Sequence, residues 1–257
     1  MSKFGKSLIA VVVTLGAILW SASSWAQSLK VGSHEPWVVQ DMGSNGPSGL
    51  FADLVNAIAK DANLKVDYQV MKFADLIPAG TTGKIDIIAT MMAITPERKQ
   101  QVDFSIPIYN PPTEAVVVPA TDMTPYKALT DFQGLPVGAQ KGSIHLALLQ
   151  RTGGFSEIKT YDTVDDAWAA VASGTVKAAV TAGPDTIYAA KHGRLPNVRI
   201  VTSYQSQSSK PSVGIGVRKG NAELLGKIDN SLAKLEGDGT VKAIFAKHGL
   251  DDWAQPK

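Results

Sequence analysis

The sequence predicts an α/β fold divided into two lobes, and three observations predict it. Strand-like and helix-like hydrophobic patterns alternate almost throughout the chain, the mark of α/β proteins with mostly parallel sheets. Residues 85–89 form a near-continuous apolar run, as a strand buried on both faces should. Punctuation is weakest at two places, near residues 110–112 and in the polar stretch 203–212. If the chain crosses between lobes at both, the middle segment forms one lobe and the two ends together form the other. A cleft between two such lobes is a common ligand position.

The elements follow in order. Residues 29–33 read as a strand. Residues 49–64 read as an amphipathic helix with Phe51, Leu54, Val55 and Ile58 on one stripe and Asp53, Asn56 and Lys60 facing away. Residues 65–70 alternate, with Val66, Tyr68 and Val70 on one side, and 85–89 and 113–118 are further strands. A short helix starts at Pro96, with Thr95 as its N-cap. The second cycle has a strand at 136–140, a helix capped by Ser143, and a strand at 158–161. A helix with a capping-box-like start at Thr163 to Asp166 comes next. A strand at 176–181, a helix opened by Pro184 and a strand at 198–202 complete it. Strand 213–218 and helices 221–236 and 240–248 close the chain.

The first 26 residues read as an export signal. Lys3 and Lys6 give a basic start, an apolar run from Leu8 to Trp20 is short for a membrane span, and Ser24 and Ala26 suit a cleavage site. Cleavage there leaves 231 residues, enough for one large domain or two small ones. Removing the two signal lysines leaves 23 basic and 23 acidic side chains, a net charge of zero that asks for no nucleic acid. With no cysteine, the chain has neither disulfides nor a lipid-bearing cysteine. The product is expected to be exported, monomeric and free of cofactors.

Several chemistries find no signature. The chain has no phosphate-binding loop, no dinucleotide-binding glycine motif after a strand and no nucleophile elbow. The four histidines are scattered without metal-ligand spacing. An anion site is better supported. Arg98 is the third residue of its helix, where a cation opposes the helix dipole. Helix stability therefore does not explain it, whereas a bound carboxylate does; a surface pairing with Glu97 or Asp103 is the alternative. Lys141-Gly142-Ser143 lies between a strand end and a helix start, as an anion-binding turn or an ordinary connection. Trp37 and Phe73 follow strands and suit either a pocket lining or packing.

These residues sit in a longer pattern. LKVGS, GLFADLVNAIAKDANL, FADLIPAGTTGKIDIIA, ITPERKQQVDFSIPIY, LPVGAQKGS, ASGTVKAAVTAGP and GIGVRKGNAELLGKIDNSLAKLEGDGTVKAIFAKHG together resemble the periplasmic solute-binding proteins, family 3, that serve polar amino acid ABC importers. The resemblance implies the type II periplasmic binding fold, two α/β lobes joined by two hinge strands. Lobe 1 would comprise 27–112 plus 208–257, and lobe 2 the inserted 113–207. It implies a small carboxylate ligand held in the cleft and delivered to a membrane permease. Arg98 then looks like the arginine that grips the ligand carboxylate, and Trp37 and Phe73 like the aromatic pair around the ligand side chain. Thr90, Met91 and Ala93 stand in the segment that supplies hydroxyl and backbone contacts. Gly142, Ser143 and Ile144 stand where lobe 2 offers N–H groups.

The sequence departs from the family pattern at three positions, each removing a partner for a cation. Ala182 stands where an aspartate usually holds the ligand ammonium, His34 where an aspartate often follows the first strand, and Ala93 where a hydroxyl precedes ITPER. Burying an ammonium without its carboxylate costs about 3–5 kcal/mol. The expectation is therefore a carboxylate ligand other than a standard amino acid, or an amine held by a different group, with Glu35 and Asp185 the nearest substitutes. Two other functions fit the same fold. A cyclohexadienyl dehydratase-like enzyme would draw an acid from His34, Glu35 or Glu114, and an accessory protein would serve a periplasmic quinoprotein dehydrogenase.

Overall fold

The computed structural model describes residues 28–34, 48–109, 114–206 and 212–250. The signal segment, Glu35, Trp37 and the expected lobe boundaries at 112/113 and 207/208 lie outside the described residues.

Two five-stranded sheets carry the molecule. The first has the order β2-β1-β3-β10-β4 and is built from β1 (Leu29–Ser33), β2 (Val66–Val70), β3 (Ile87–Ile88), β4 (Val102–Phe104) and β10 (Gly216–Arg218). The second has the order β7-β6-β8-β5-β9, from β5 (Glu114–Pro119), β6 (Pro136–Gln140), β7 (Glu157–Tyr161), β8 (Ala178–Ala182) and β9 (Val198–Ile200). The chain thus passes from the first sheet to the second between Phe104 and Glu114 and returns between Ile200 and Gly216.

The sheets are mixed rather than mostly parallel. β2, β1 and β3 are parallel, as are β7, β6 and β8, but β10 runs against both its neighbours, and so does β5. The reason is connectivity. Parallel neighbours need a crossover, supplied here by α1 (Leu50–Asp61) and α2 (Leu76–Thr81) in the first sheet. In the second, α4 (Ile144–Thr152) and α5 (Val164–Ala172) supply it. β5 and β10 instead arrive from the other sheet and enter in the opposite direction.

Each sheet is covered on both faces. Phe51, Leu54, Ile228, Leu232 and Phe245 pack one face of the first sheet through α1, α7 (Ala222–Gly237) and α8 (Thr240–Lys247). Leu76, Ile85, Ile88 and Met92 pack the other. In the second sheet β5 shows the period-two rule directly. Val116 and Val118 join the cluster with Phe132 and Leu149, while Val117 joins the one with Trp168 and Val171. Hydroxyl and amide caps act where the sequence places them. Thr95 accepts from the Arg98 N–H at 3.3 Å, Ser143 from Leu146 at 3.1 Å and Thr163 from Asp166 at 3.0 Å. Among the described residues no helix is long and apolar enough to cross a membrane.

Candidate functional site

The cleft between the sheets holds a cavity of about 570 Å³, part of it opening to solvent, a size that suits one small molecule. It lies where β1 and β6 end, at the carboxyl edges of the parallel strands. His34, Phe73, Met91, Ala93, Arg98, Ser143, Ile144 and Ala182 line it. Thr90 and Gly142 do not, and Trp37 lies outside the described residues.

Arg98 is placed by α3 (Pro96–Lys99), a helix of four residues whose Thr95 cap and Pro96 fix its start. Its side chain is 7 % exposed and turns into the cavity, so the surface pairing does not form; Asp103 instead holds Lys219 at 2.8 Å. One guanidinium nitrogen, Nη1, donates to the Ala93 carbonyl at 2.8 Å, and Nη2 donates across the cleft to the Gly142 carbonyl at 3.1 Å. Its carbon lies 5.5 Å from the centre of the Phe73 ring, a cation–π contact. Burial lowers its pKa to about 10, which still leaves it positive at neutral pH. Among the described residues it forms no ion pair, so a buried cation with donors to spare faces the cavity.

His34 stands against the other edge of Phe73, ring centroids 4.9 Å apart and nearly perpendicular. Its Nδ1 is hydrogen-bonded to the Thr90 hydroxyl, and burial lowers its pKa to about 3, so the ring is neutral. Thr90, expected to contact a ligand, instead has its hydroxyl hydrogen-bonded to His34 and does not line the cavity. At the turn expected to offer the N–H groups of Gly142, Ser143 and Ile144, two groups are engaged within the chain. The Ser143 N–H closes a turn onto the Gln140 carbonyl at 3.2 Å, and Gly142 presents its carbonyl to Arg98.

Among the described residues the acidic side chain that lines the cavity is Asp185. It is 3 % exposed, in the first turn of α6 (Gly183–Lys191), where the helix dipole favours a carboxylate. Ala182 is the N-cap of the same helix, so Asp185 sits within one turn of the position where the family resemblance leads us to expect an aspartate. Two further lining residues were assigned no role from the sequence: His145, just inside α4, and Tyr109, the last residue of the ITPERKQQVDFSIPIY segment, whose hydroxyl is buried. Glu114, a candidate acid, does not line the cavity; it accepts hydrogen bonds from the hydroxyls of Tyr204 at 2.8 Å and Ser206 at 2.9 Å.

Two sheet-centred lobes with a buried arginine and a buried aspartate facing one partly open cavity define a cleft-type binder of small polar solutes. Residues 29–251 match the model of the bacterial extracellular solute-binding proteins, family 3, and the chain belongs to that family. The chain is 30 % identical over 200 residues to the ABC transporter arginine-binding protein 1 of Escherichia coli, covering 76 % of this chain and 79 % of the relative. A solved structure of an ancestral arginine-binding protein bound to glutamine is 36 % identical with a TM-score of 0.77, covering 87 % of this chain and 98 % of that one. An ancestral amino acid-binding protein described as a precursor of cyclohexadienyl dehydratase is 29 % identical with a TM-score of 0.74, covering 89 % and 96 %.

Proposed function

We propose that the cavity captures a zwitterionic amino acid after export of the chain to the periplasm, and that the closed protein hands it to the permease of an ABC importer. Arg98 takes the α-carboxylate and Asp185 the α-ammonium. The observation that carries this reading is that Arg98 and Asp185, opposite charges contributed by opposite lobes, line one cavity. Of the two expectations left open by Ala182, the reading takes the second, an amine held by a different group. The relatives' own ligands, arginine and glutamine, are amino acids, which supports it. The lobes are proposed to divide at 112/113 and 207/208, within the two intervals where the chain passes between sheets.

Binding rather than turnover is the reading the side chains support. Glu114 is engaged away from the cavity, and His34, with its pKa lowered to about 3, is a neutral imidazole at neutral pH rather than the imidazolium a general acid needs. The test is a thermal-shift screen of the standard L-amino acids and simple organic acids, followed by calorimetry on the tightest binder. The reading expects Arg98→Met and Asp185→Asn each to weaken binding by about 100-fold or more. Organic acids that bind as tightly as amino acids, with no loss in Asp185→Asn, would overturn it.

A further inference from the structure

Tyr109 is one of the cavity-lining residues that the two proposed charge contacts leave unused. It is fully buried and sits where the chain leaves the first sheet. Its carbonyl accepts the Val213 N–H at 3.0 Å, and Val213, on the returning segment, bridges both Tyr109 and Ala93. Its ring packs edge-on against Phe245 of α8, centroids 5.1 Å apart. Backbone and ring are therefore both held, and the hydroxyl has a fixed position. That hydroxyl is buried with no hydrogen-bond partner among the described residues, on a side chain that lines the cavity. A buried hydroxyl left in this state is unfavourable unless a bound molecule satisfies it.

Asp185 is its neighbour. Burial first, and then the charge of Asp185, push the Tyr109 phenol well above its ordinary pKa, which keeps it protonated. Tyr188, one turn beyond Asp185 on α6, belongs to the same apolar cluster as Tyr109. An ammonium carries three N–H donors, more than one carboxylate oxygen accepts, and a neutral phenol oxygen has lone pairs to offer.

We infer that the Tyr109 hydroxyl is a second acceptor for the ammonium of the bound solute, beside Asp185, and so sets the preference for amines over deaminated acids. This rests on the reading of Asp185 as the ammonium partner. The hydroxyl contributes discrimination and Arg98 contributes carboxylate binding, so the two are separable.

The experiment compares wild type, Tyr109→Phe and Asp185→Asn by calorimetry. The probes are the tightest-binding standard L-amino acid and the same acid with hydrogen in place of its α-amino group. Tyr109→Phe keeps the ring against Phe245 and removes only the hydroxyl. It is expected to lower amino-acid affinity about tenfold, while the affinity for the deaminated acid stays within about twofold of wild type. An amino-acid to deaminated-acid ratio unchanged in Tyr109→Phe but reduced in Asp185→Asn overturns the role of Tyr109 alone. A ratio unchanged in Asp185→Asn overturns the reading of Asp185 and this inference with it.

Discussion

The Arg98 guanidinium donates across the cleft to the carbonyl oxygen of Gly142 at 3.1 Å, so the group proposed to take the ligand carboxylate also ties the two lobes together. A cation buried without an anion is costly, and two carbonyl contacts offset that only in part. A carboxylate arriving in the cavity supplies the missing charge.

Arg98→Met should therefore abolish ligand-induced stabilisation while leaving a folded protein. The expected loss is about 3–5 kcal/mol of binding, or roughly 100- to 4000-fold in Kd. Arg98→Lys should recover little of it, because an ammonium cannot present two parallel donors to a carboxylate and to the carbonyls of Ala93 and Gly142 at once. Calorimetry on both variants checks this; a lysine variant within tenfold of wild type would contradict the bidentate geometry.

Gly142 lies where the two sides of the cleft approach closely. Its φ is +75°, and a Cβ built there would stand 3.2 Å from the Ala74 Cα on the opposite side of the cleft. Gly142→Ala should weaken ligand binding without altering a cavity-lining side chain. Gly134 has the same φ of +75° and nothing within 4 Å of a built Cβ, so Gly134→Ala carries the backbone strain without the contact. Equal losses of stability in the two variants, with loss of affinity confined to Gly142→Ala, are the expected pattern. Equal affinities would show that the Ala74 contact does not limit closure.

Much of this was legible in the chain. Thr95, Ser143 and Thr163 cap helices because their side chains compete locally for free N–H groups, a contest decided within three residues. Arg98 was legible because it opposes its own helix. What was not legible depends on long-range placement. β5 and β10 look like the other strands in pattern, and only the chain's passage between sheets sets them antiparallel. Asp185 was visible as a carboxylate near Ala182. Its access to the cavity depends on how α6 packs against the first lobe, through Tyr188 and the Lys191 contact to the Gly249 carbonyl at 2.8 Å. Tyr109 was assigned no role because a buried tyrosine in an apolar run is ordinary core until its hydroxyl is found without a partner.

His34 sets a pH dependence of stability. Its folded pKa is about 3, against an ordinary value of 6.5, so between these values the unfolded chain holds more protons than the folded one. Stability is therefore lost as pH falls below about 6.5, by up to about 1.4 kcal/mol per pH unit from this residue. His34→Asn cannot titrate and keeps a polar group near Thr90. Urea unfolding at several pH values between about 7 and 4 should show the wild-type advantage over the variant shrinking as the solution is acidified. A constant gap between the two curves would contradict a neutral buried His34.

A buried relay positions α6 and with it Asp185. Trp168 Nε1 donates to Thr181 Oγ1 at 3.4 Å, Thr181 and Thr186 hydroxyls lie 2.7 Å apart, and Thr186 donates to the Ala182 carbonyl at 2.7 Å. The direction follows from the ends, since an indole only donates and a carbonyl only accepts, so Thr181 donates to Thr186. Thr186→Val keeps the shape but leaves the Thr181 hydroxyl without its acceptor in a fully buried place. The expected cost is about 1–3 kcal/mol, which lowers Tm by several degrees in a chain of this size. Thr186→Ser keeps the relay and loses one methyl, so it should cost less. Because the relay ends on the N-cap of the helix that carries Asp185, Thr186→Val should also reduce the preference for an amino acid over its deaminated counterpart, and Thr186→Ser should leave that preference in place. Melting curves and calorimetry on the pair decide it: a serine variant as damaged as the valine variant in both readouts would show that packing at Thr186, rather than its hydroxyl, holds α6.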